Sequence, residues 1–258
     1  MLLSLAIQKG GSGKTTTAIN LAAALRQMGK TVLLVDLDPQ ANCTQALGIL
    51  EEPELGMYEL LRRQASGEEA AALAAIRQTT AGLDLLPASL ELANSELELV
   101  SIYGRETLLR QVLRPLAQRY DFIFIDCPPA IGMLTVNALV ASDYIIMPLQ
   151  AEFLPLRGLR SFMRAQERIR RQLHPKLQVL GMVLTKYDHR KTVNRSVLEQ
   201  LEAEFGPLLF STRIRVNVAL AKSQEKGLDI FNFDRNANAA QDYSALAQEL
   251  LDRLGLSS

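Results

Sequence analysis

Three glycines, two lysines and a run of threonines stand together in QKGGSGKTTT, residues 8–17. Residue types in this pattern bind phosphate. Glycine lets backbone N–H groups turn inward toward anionic oxygens, so Gly10, Gly11 and Gly13, with Ser12 between them, are candidate contacts. Lys14 can reach the β- and γ-phosphates of a nucleotide. The Thr15 hydroxyl can ligate Mg²⁺, with Thr16 nearby. The ordinary phosphate-binding loop is written G-x-x-x-x-G-K-[ST]. Its first glycine would fall at position 8, which is Gln8. The loop is therefore a variant, and it carries an additional lysine, Lys9, at its start.

Two apolar stretches end in acid. VLLVDLDPQ closes on Asp36 and Asp38, and FIFIDCPP on Asp126. In open α/β sheets ligands bind outside the carboxyl ends of the strands. Carboxylates placed there can hold Mg²⁺, directly or through water, and orient an attacking water. A buried carboxylate without a partner is costly, so each of the three needs one. Asp36 suits a loop-holding role as well as a chemical one.

These residues need elements to position them, and the hydrophobic pattern supplies them. Short apolar runs at 2–7, 31–35, 83–86, 122–125, 144–148, 179–185 and 208–211 read as strands. Helix-period segments at 15–28, 105–119, 133–141, 156–173, 192–205 and 237–254 alternate with them. Apolar strands separated by helices predict an α/β fold: a mostly parallel twisted sheet flanked by helices on both faces, as in P-loop NTPases. The phosphate loop lies between the first strand and the first helix, the context such a loop requires. The Ala-rich GEEAAALAAI at 67–76 reads as an ordinary helix. No long linker or repeat divides the 258 residues, and one domain over 1–258 is expected.

Composition narrows the function. No apolar run approaches the roughly 20 residues that a bilayer span needs, and the start MLLSLAIQKGG lacks the basic region of a signal peptide. The chain opens on its first strand, so no helix-turn-helix domain is expected ahead of it. Cys43 and Cys127 are the only cysteines, which argues against a disulfide framework or a Cys-rich metal site. His174 and His189 lack ligand spacing. A soluble, cytoplasmic protein is expected. Net charge is zero, yet residues 156–195 hold 11 Lys and Arg against 2 Asp and Glu. Arg157, Arg160, Arg164, Arg168 and Arg171 recur at spacings of three and four, one face of a helix. Lys186, Arg190, Lys191 and Arg195 follow. Such a stripe binds the phosphate backbone of duplex DNA without sequence preference; the alternative is a solvated helix face.

The loop KGGSGKT at 9–15 resembles the deviant Walker A pattern K-G-G-x-G-K-T of the ParA/MinD family of P-loop ATPases. The resemblance extends to DLDPQAN at 36–42, DFIFIDCPP at 121–129, TVNAL at 135–139, PLQAEF at 148–153, LGMVLTKYDHR at 180–190 and DYSALAQELL at 242–251. It spans nearly the whole chain and is nearest the chromosomal, Soj-like branch. It implies ATP sandwiched between two subunits, with Lys9 reaching the phosphates held by the partner and coupling ATP to homodimer formation. Developing phosphoryl charge needs added positive charge, and a cation supplied in trans is present only in the dimer. The resemblance further implies that Lys14 binds phosphate and Thr15 binds Mg²⁺. It assigns Asp38 to the attacking water and Asp126 to the Walker B position, acting through a magnesium-bound water.

The segment IRVN, 214–217, lies where the family cradles adenine, which makes Asn217 a candidate contact. Here the sequence departs from the pattern: the usual Pro-Arg is Arg215-Val216. After Leu220 the usual Ser-Glu-Ala-Pro is Ala221-Lys222-Ser223-Gln224, and an arginine expected after Asn217-Val218 is Ala219.

The implied activity is a slow ATPase that rides nucleoid DNA as a dimer and positions a cargo, with hydrolysis stimulated by a ParB-like partner. A nucleotide-switched regulator of the same family that does not bind DNA is the rival. A metal-cluster carrier is disfavoured by the missing C-x-x-C. The terminal LLDRLGLSS has no basic cluster, which argues against the membrane helix of the MinD branch.

Overall fold

The computed structural model describes residues 1–151 and 156–256. Glu152 and Phe153, the end of the PLQAEF match, lie outside the described residues. Strands β1 (Leu2–Leu5), β2 (Val32–Asp36), β3 (Arg77–Gln78), β4 (Asp84–Leu86), β5 (Phe122–Asp126), β6 (Tyr144–Gln150) and β7 (Gln178–Thr185) form one sheet. Their order is β3-β4-β2-β5-β1-β6-β7. Every neighbouring pair is parallel except β3 with β4.

Helices among the described residues are α1 (Lys14–Gln27), α2 (Asn42–Ala46), α3 (Met57–Ala65), α4 (Ala72–Ala75), α5 (Ser95–Glu98), α6 (Leu108–Leu113), α7 (Met133–Ala141), α8 (Leu156–Gln172), α9 (Thr192–Phe205), α10 (Val218–Glu225), α11 (Ile230–Phe233) and α12 (Asn238–Arg253). Period-two alternation along the strands assigns the two faces. Leu33, Val35, Ile123 and Ile125 face a core shared with Leu60, Leu109, Ala138, Phe162 and Leu201, from α3 and α6 to α9. Val32, Leu34, Phe122 and Phe124 face the opposite core, with Leu21 and Leu25 of α1 and Leu246 and Leu250 of α12. Burying a phenylalanine completely contributes about 1.5–3 kcal/mol. Such a two-sided sheet explains why β2 and β5 read as unbroken apolar runs.

The expected architecture holds, three local expectations do not, and one helix has no counterpart among them. Residues 208–211 are not a strand. Gly206–Leu208 is a short 3₁₀ turn, and Leu209 alone bridges Met182 of β7. The expected helix at 105–119 breaks into a 3₁₀ turn (Arg105–Thr107) and α6. Pro115 lies inside that window; proline lacks an N–H and clashes with the preceding turn. In 67–76 only α4 is helical. Ala71 takes a left-handed φ of 54°, and Ile76 is already extended toward β3. Helix α3 was not expected. Its buried residues, Met57, Leu60 and Leu61, follow helical spacing.

Helix α7 begins just after the loop that leaves β5. Its N-terminal neighbour is Gly132, which has no side chain to cap it. Glu96 does so from a distance: its carboxylate accepts the N–H of Met133 at 2.8 Å and of Leu134 at 3.1 Å. An anion at a helix N-terminus satisfies two otherwise unpaired donors and the helix dipole. Glu96→Ala is expected to lower folding stability by about 1 kcal/mol, read as a lower urea midpoint at unchanged slope. A midpoint equal to the parent's would sink the capping assignment.

Candidate functional site

Residues at the carboxyl ends of β1, β2 and β5 converge. In the sheet register Asp126 pairs with Leu5 on one side and Asp36 on the other. The loop after β1 curls over them into α1. Gly13 sits at φ 91° and Gly11 at 69°, conformations that L side chains rarely adopt. A Cβ on Gly13 would also approach Thr185 Cγ2 at 3.4 Å. Thr185, at the end of β7, donates its hydroxyl to the Ser12 carbonyl at 2.8 Å and so locks the loop. The Cβ contact at Gly13 is an ordinary one, so backbone conformation is what requires glycine at 11 and 13; Gly10 has no such φ, and a Cβ there meets nothing within 4 Å.

Lys14 is 7% exposed. Its ammonium donates to the Lys9 carbonyl at 3.1 Å, so the two lysines are joined through the main chain of one and the side chain of the other. Thr15 Oγ1 donates to Asp126 Oδ2 at 2.6 Å. The other Asp126 oxygen, Oδ1, is buried and has no hydrogen-bond partner. Burial first, and then the nearby Asp36 charge, push the Asp126 carboxyl well above its ordinary range. A cation beside Oδ1 would relieve both deficits.

Asp36 works differently. One oxygen accepts the Thr44 N–H and hydroxyl at 2.8 and 2.7 Å, and the other accepts the Asp38 N–H at 3.2 Å. It therefore fixes the 38–44 turn, although burial raises its carboxyl as well. Asp38 lines the cavity and accepts the Gln40 N–H at 3.0 Å.

Over the loop lies a cavity of about 700 Å³ lined by residues 10–16, Asp38 and Pro129. A second, of about 300 Å³, adjoins it, lined by Ile214, Val216, Asn217 and Leu220 among others. Asn217 Oδ1 also caps α10 by accepting the Ala219 N–H at 2.8 Å. Arg215 is tied to Asp242 of α12 by hydrogen bonds of 2.6–3.0 Å, which sets the path of the 214–217 loop. Among the described residues no three His, Cys, Asp or Glu side chains group to hold a metal by themselves. Thr15, Asp38 and Asp126 offer hard oxygens only. That suits Mg²⁺, which is commonly held by one or two carboxylates together with substrate phosphates and water.

The basic stripe is only partly available. Arg157, Arg164 and Arg168 are exposed on α8. Arg160 is clamped by Glu204 of α9 through two bonds of 2.7 Å. Arg171 pairs with Glu167 at 2.7 Å, and Arg190 is held by Asp188 at 2.9 Å. Arg195 donates to the His189 carbonyl at 3.1 Å, and Lys191 also has a partner within the chain. Lys186 lies elsewhere: it lines both cavities, with a left-handed φ of 51°. His174 contacts the Ser142 carbonyl at 3.0 Å, in a structural setting. Sequence reasoning missed Thr185, Gln224 and Glu225 at the site. Thr185 and Gln224 reach the loop from 173 and 208 residues away, and no local pattern signals that.

A mostly parallel sheet with a glycine loop between β1 and α1, and acids ending β5 beside it and β2 next along, defines a P-loop NTPase. A model of the AAA domain family matches residues 1–179. The chromosome partitioning protein ParA of Caulobacter vibrioides is 39% identical, over 98% of this chain and 94% of its own length. The sporulation initiation inhibitor protein Soj of Bacillus subtilis is 38% identical, over 96% and 97%. The crystal structure of the Mycobacterium smegmatis protein named cobyrinic acid a,c-diamide synthase, with a bound ATP analogue and magnesium, superposes with a TM-score of 0.82. It is 36% identical and covers 98% of this chain and 95% of that one. The chain belongs to the ParA family of P-loop ATPases. Among the described residues no helix is long and apolar enough to cross a membrane.

Proposed function

We propose that this chain is a partitioning ATPase of one domain that binds ATP with Mg²⁺, dimerises on it, holds duplex DNA without sequence preference and so positions a cargo at the nucleoid. The observation that carries the reading is the Thr15–Asp126 hydrogen bond of 2.6 Å beneath a loop whose lysine, Lys14, faces the cavity. Residues 10–16 bind the phosphates. Thr15, Asp38 and Asp126 would hold Mg²⁺, which when bound would supply charge neutralisation at the phosphates. Asp38, held by Asp36 through its own N–H, orients the attacking water. Lys9 acts across the dimer. Asn217 and its loop take the base. A ParB-like activator stimulates hydrolysis and release, and the protein is cytoplasmic.

The DNA arm is tested with random duplex DNA, in the presence of no nucleotide, ADP, ATP or a slowly hydrolysed analogue, across a salt series. Three free arginines per protomer, Arg157, Arg164 and Arg168, give about six phosphate contacts per dimer. The expected slope of log K against log salt is then about −5. Reversing the charge of all three should remove binding while nucleotide affinity stays. A specific observation favours the rival reading of a nucleotide switch that does not bind DNA: Arg160, Arg171 and Arg190 are already paired with carboxylates. Absence of DNA binding in every nucleotide state would establish that rival.

A further inference from the structure

Among the described residues four line both cavities: Gly13, Thr16, Lys186 and Gln224. The first two belong to the phosphate loop and its helix. The other two bring side chains from β7's end and from α10. A nucleotide with phosphates on the loop and its base against Ile214, Val216 and Leu220 must pass its sugar between them. We propose that Gln224 reads the sugar hydroxyls of the nucleotide, so that the chain distinguishes a ribonucleotide from its deoxy counterpart. The proposal rests on reading the two cavities as one nucleotide site.

Gln224 is well placed and well held. Its Nε2 donates to the Thr16 hydroxyl at 3.2 Å, so its amide already lies on the wall where the two cavities meet. The segment that follows its helix is anchored twice, to α1 and to the turn between β3 and β4. Asn20 of α1 accepts the Ile230 N–H at 2.8 Å, just beyond α10, and Thr80 donates to the Gly227 carbonyl at 2.9 Å. Gly227 packs so closely on Gly48 that an added Cβ would stand 2.9 Å from its Cα. The α10 end cannot drift without breaking these contacts.

The chemistry fits a sugar better than a phosphate or a base. A primary amide offers donors and an acceptor on one plane, and a hydroxyl is both donor and acceptor. Next to it, Glu225 places a carboxylate on the rim of the larger cavity. A carboxylate accepts from hydroxyls and repels phosphate. Lys186 stands on the other side of the joint, in a left-handed conformation that non-glycine residues rarely adopt. Gln224 also occupies the position where the family pattern has proline, a side chain with no hydrogen-bonding group.

The test is calorimetric titration of the full chain with ATP, 2′-deoxy-ATP and 3′-deoxy-ATP in the presence of Mg²⁺. Wild type is expected to prefer ATP over at least one deoxy form by about 3- to 10-fold. Gln224→Met keeps the volume, and Gln224→Ala removes it. Both should bring the preference within about 2-fold, by weakening ATP and leaving the deoxy form unchanged. Equal affinities in wild type, or an undiminished preference in both variants with ATP still bound, would overturn the proposal and leave the nucleotide site intact. Failure of wild type to bind any of the three would overturn that reading too, and so separates the two failures.

Discussion

Lys14→Ala is expected to weaken ATP binding at least about 100-fold, a loss of roughly 2.7 kcal/mol. The reasoning starts from what surrounds the ammonium. Lys14 is almost fully buried, yet its one protein partner among the hydrogen bonds described is the neutral Lys9 carbonyl at 3.1 Å. A buried cation is expensive, and the nearby Asp126 carboxylate, itself pushed toward its neutral form by burial, compensates it only in part; a triphosphate would supply the missing charge. Charged hydrogen bonds to phosphate contribute about 1.5–3 kcal/mol each, and a lysine can make more than one. The free protein should not suffer from the substitution, because the same burial that favours a ligand disfavours the empty state. Titration calorimetry with ATP and Mg²⁺, alongside thermal unfolding without nucleotide, reads both quantities. Near-parental affinity in a folded Lys14→Ala protein would remove the phosphate role of the loop.

How much of the fold and site is legible in the sequence depends on how local each feature is. The phosphate loop is ten consecutive residues between a strand and a helix, so its glycines, Lys14 and Thr15 declare themselves. Asp36, Asp38 and Asp126 are visible as acids ending apolar strands. Their division of labour is not, because it depends on Thr44 and Thr15 lying against them in space. The two-residue β3 has no pattern to detect. Residues 67–76 look helical by propensity, but the chain must leave α4 extended to reach the sheet edge, and tertiary pairing prevails over propensity. Pro115 was a local signal, and the helix periodicity around it concealed the break. Charge counting found the basic window. It did not foresee that Glu204, Glu167 and Asp188 neutralise three of its arginines. Lys186, counted with that window, lies at the nucleotide cleft because β7 ends there.

Lys9→Ala is expected to separate binding from assembly. Within one chain, Lys14 bonds to the Lys9 main-chain carbonyl, and alanine keeps that carbonyl. The loop should therefore hold its shape, with ATP affinity for the single protomer within about 2-fold of the parent, a difference of roughly 0.4 kcal/mol. What alanine removes is the ammonium of the residue that opens the loop, immediately before the glycines. If that ammonium meets the phosphates of a second protomer, its loss deletes a charge-assisted contact made twice in a symmetric dimer, once in each direction. Two such contacts at about 1.5–3 kcal/mol each amount to a weakening of at least about 100-fold in dimerisation. Sedimentation of Lys9→Ala with a slowly hydrolysed ATP analogue should then show monomer at concentrations where wild type is dimeric, and basal hydrolysis should fall with it. Normal dimerisation and normal turnover would mean that the first lysine of the loop serves its own chain. In that case the additional positive charge in KGGSGKT would need an explanation within one protomer.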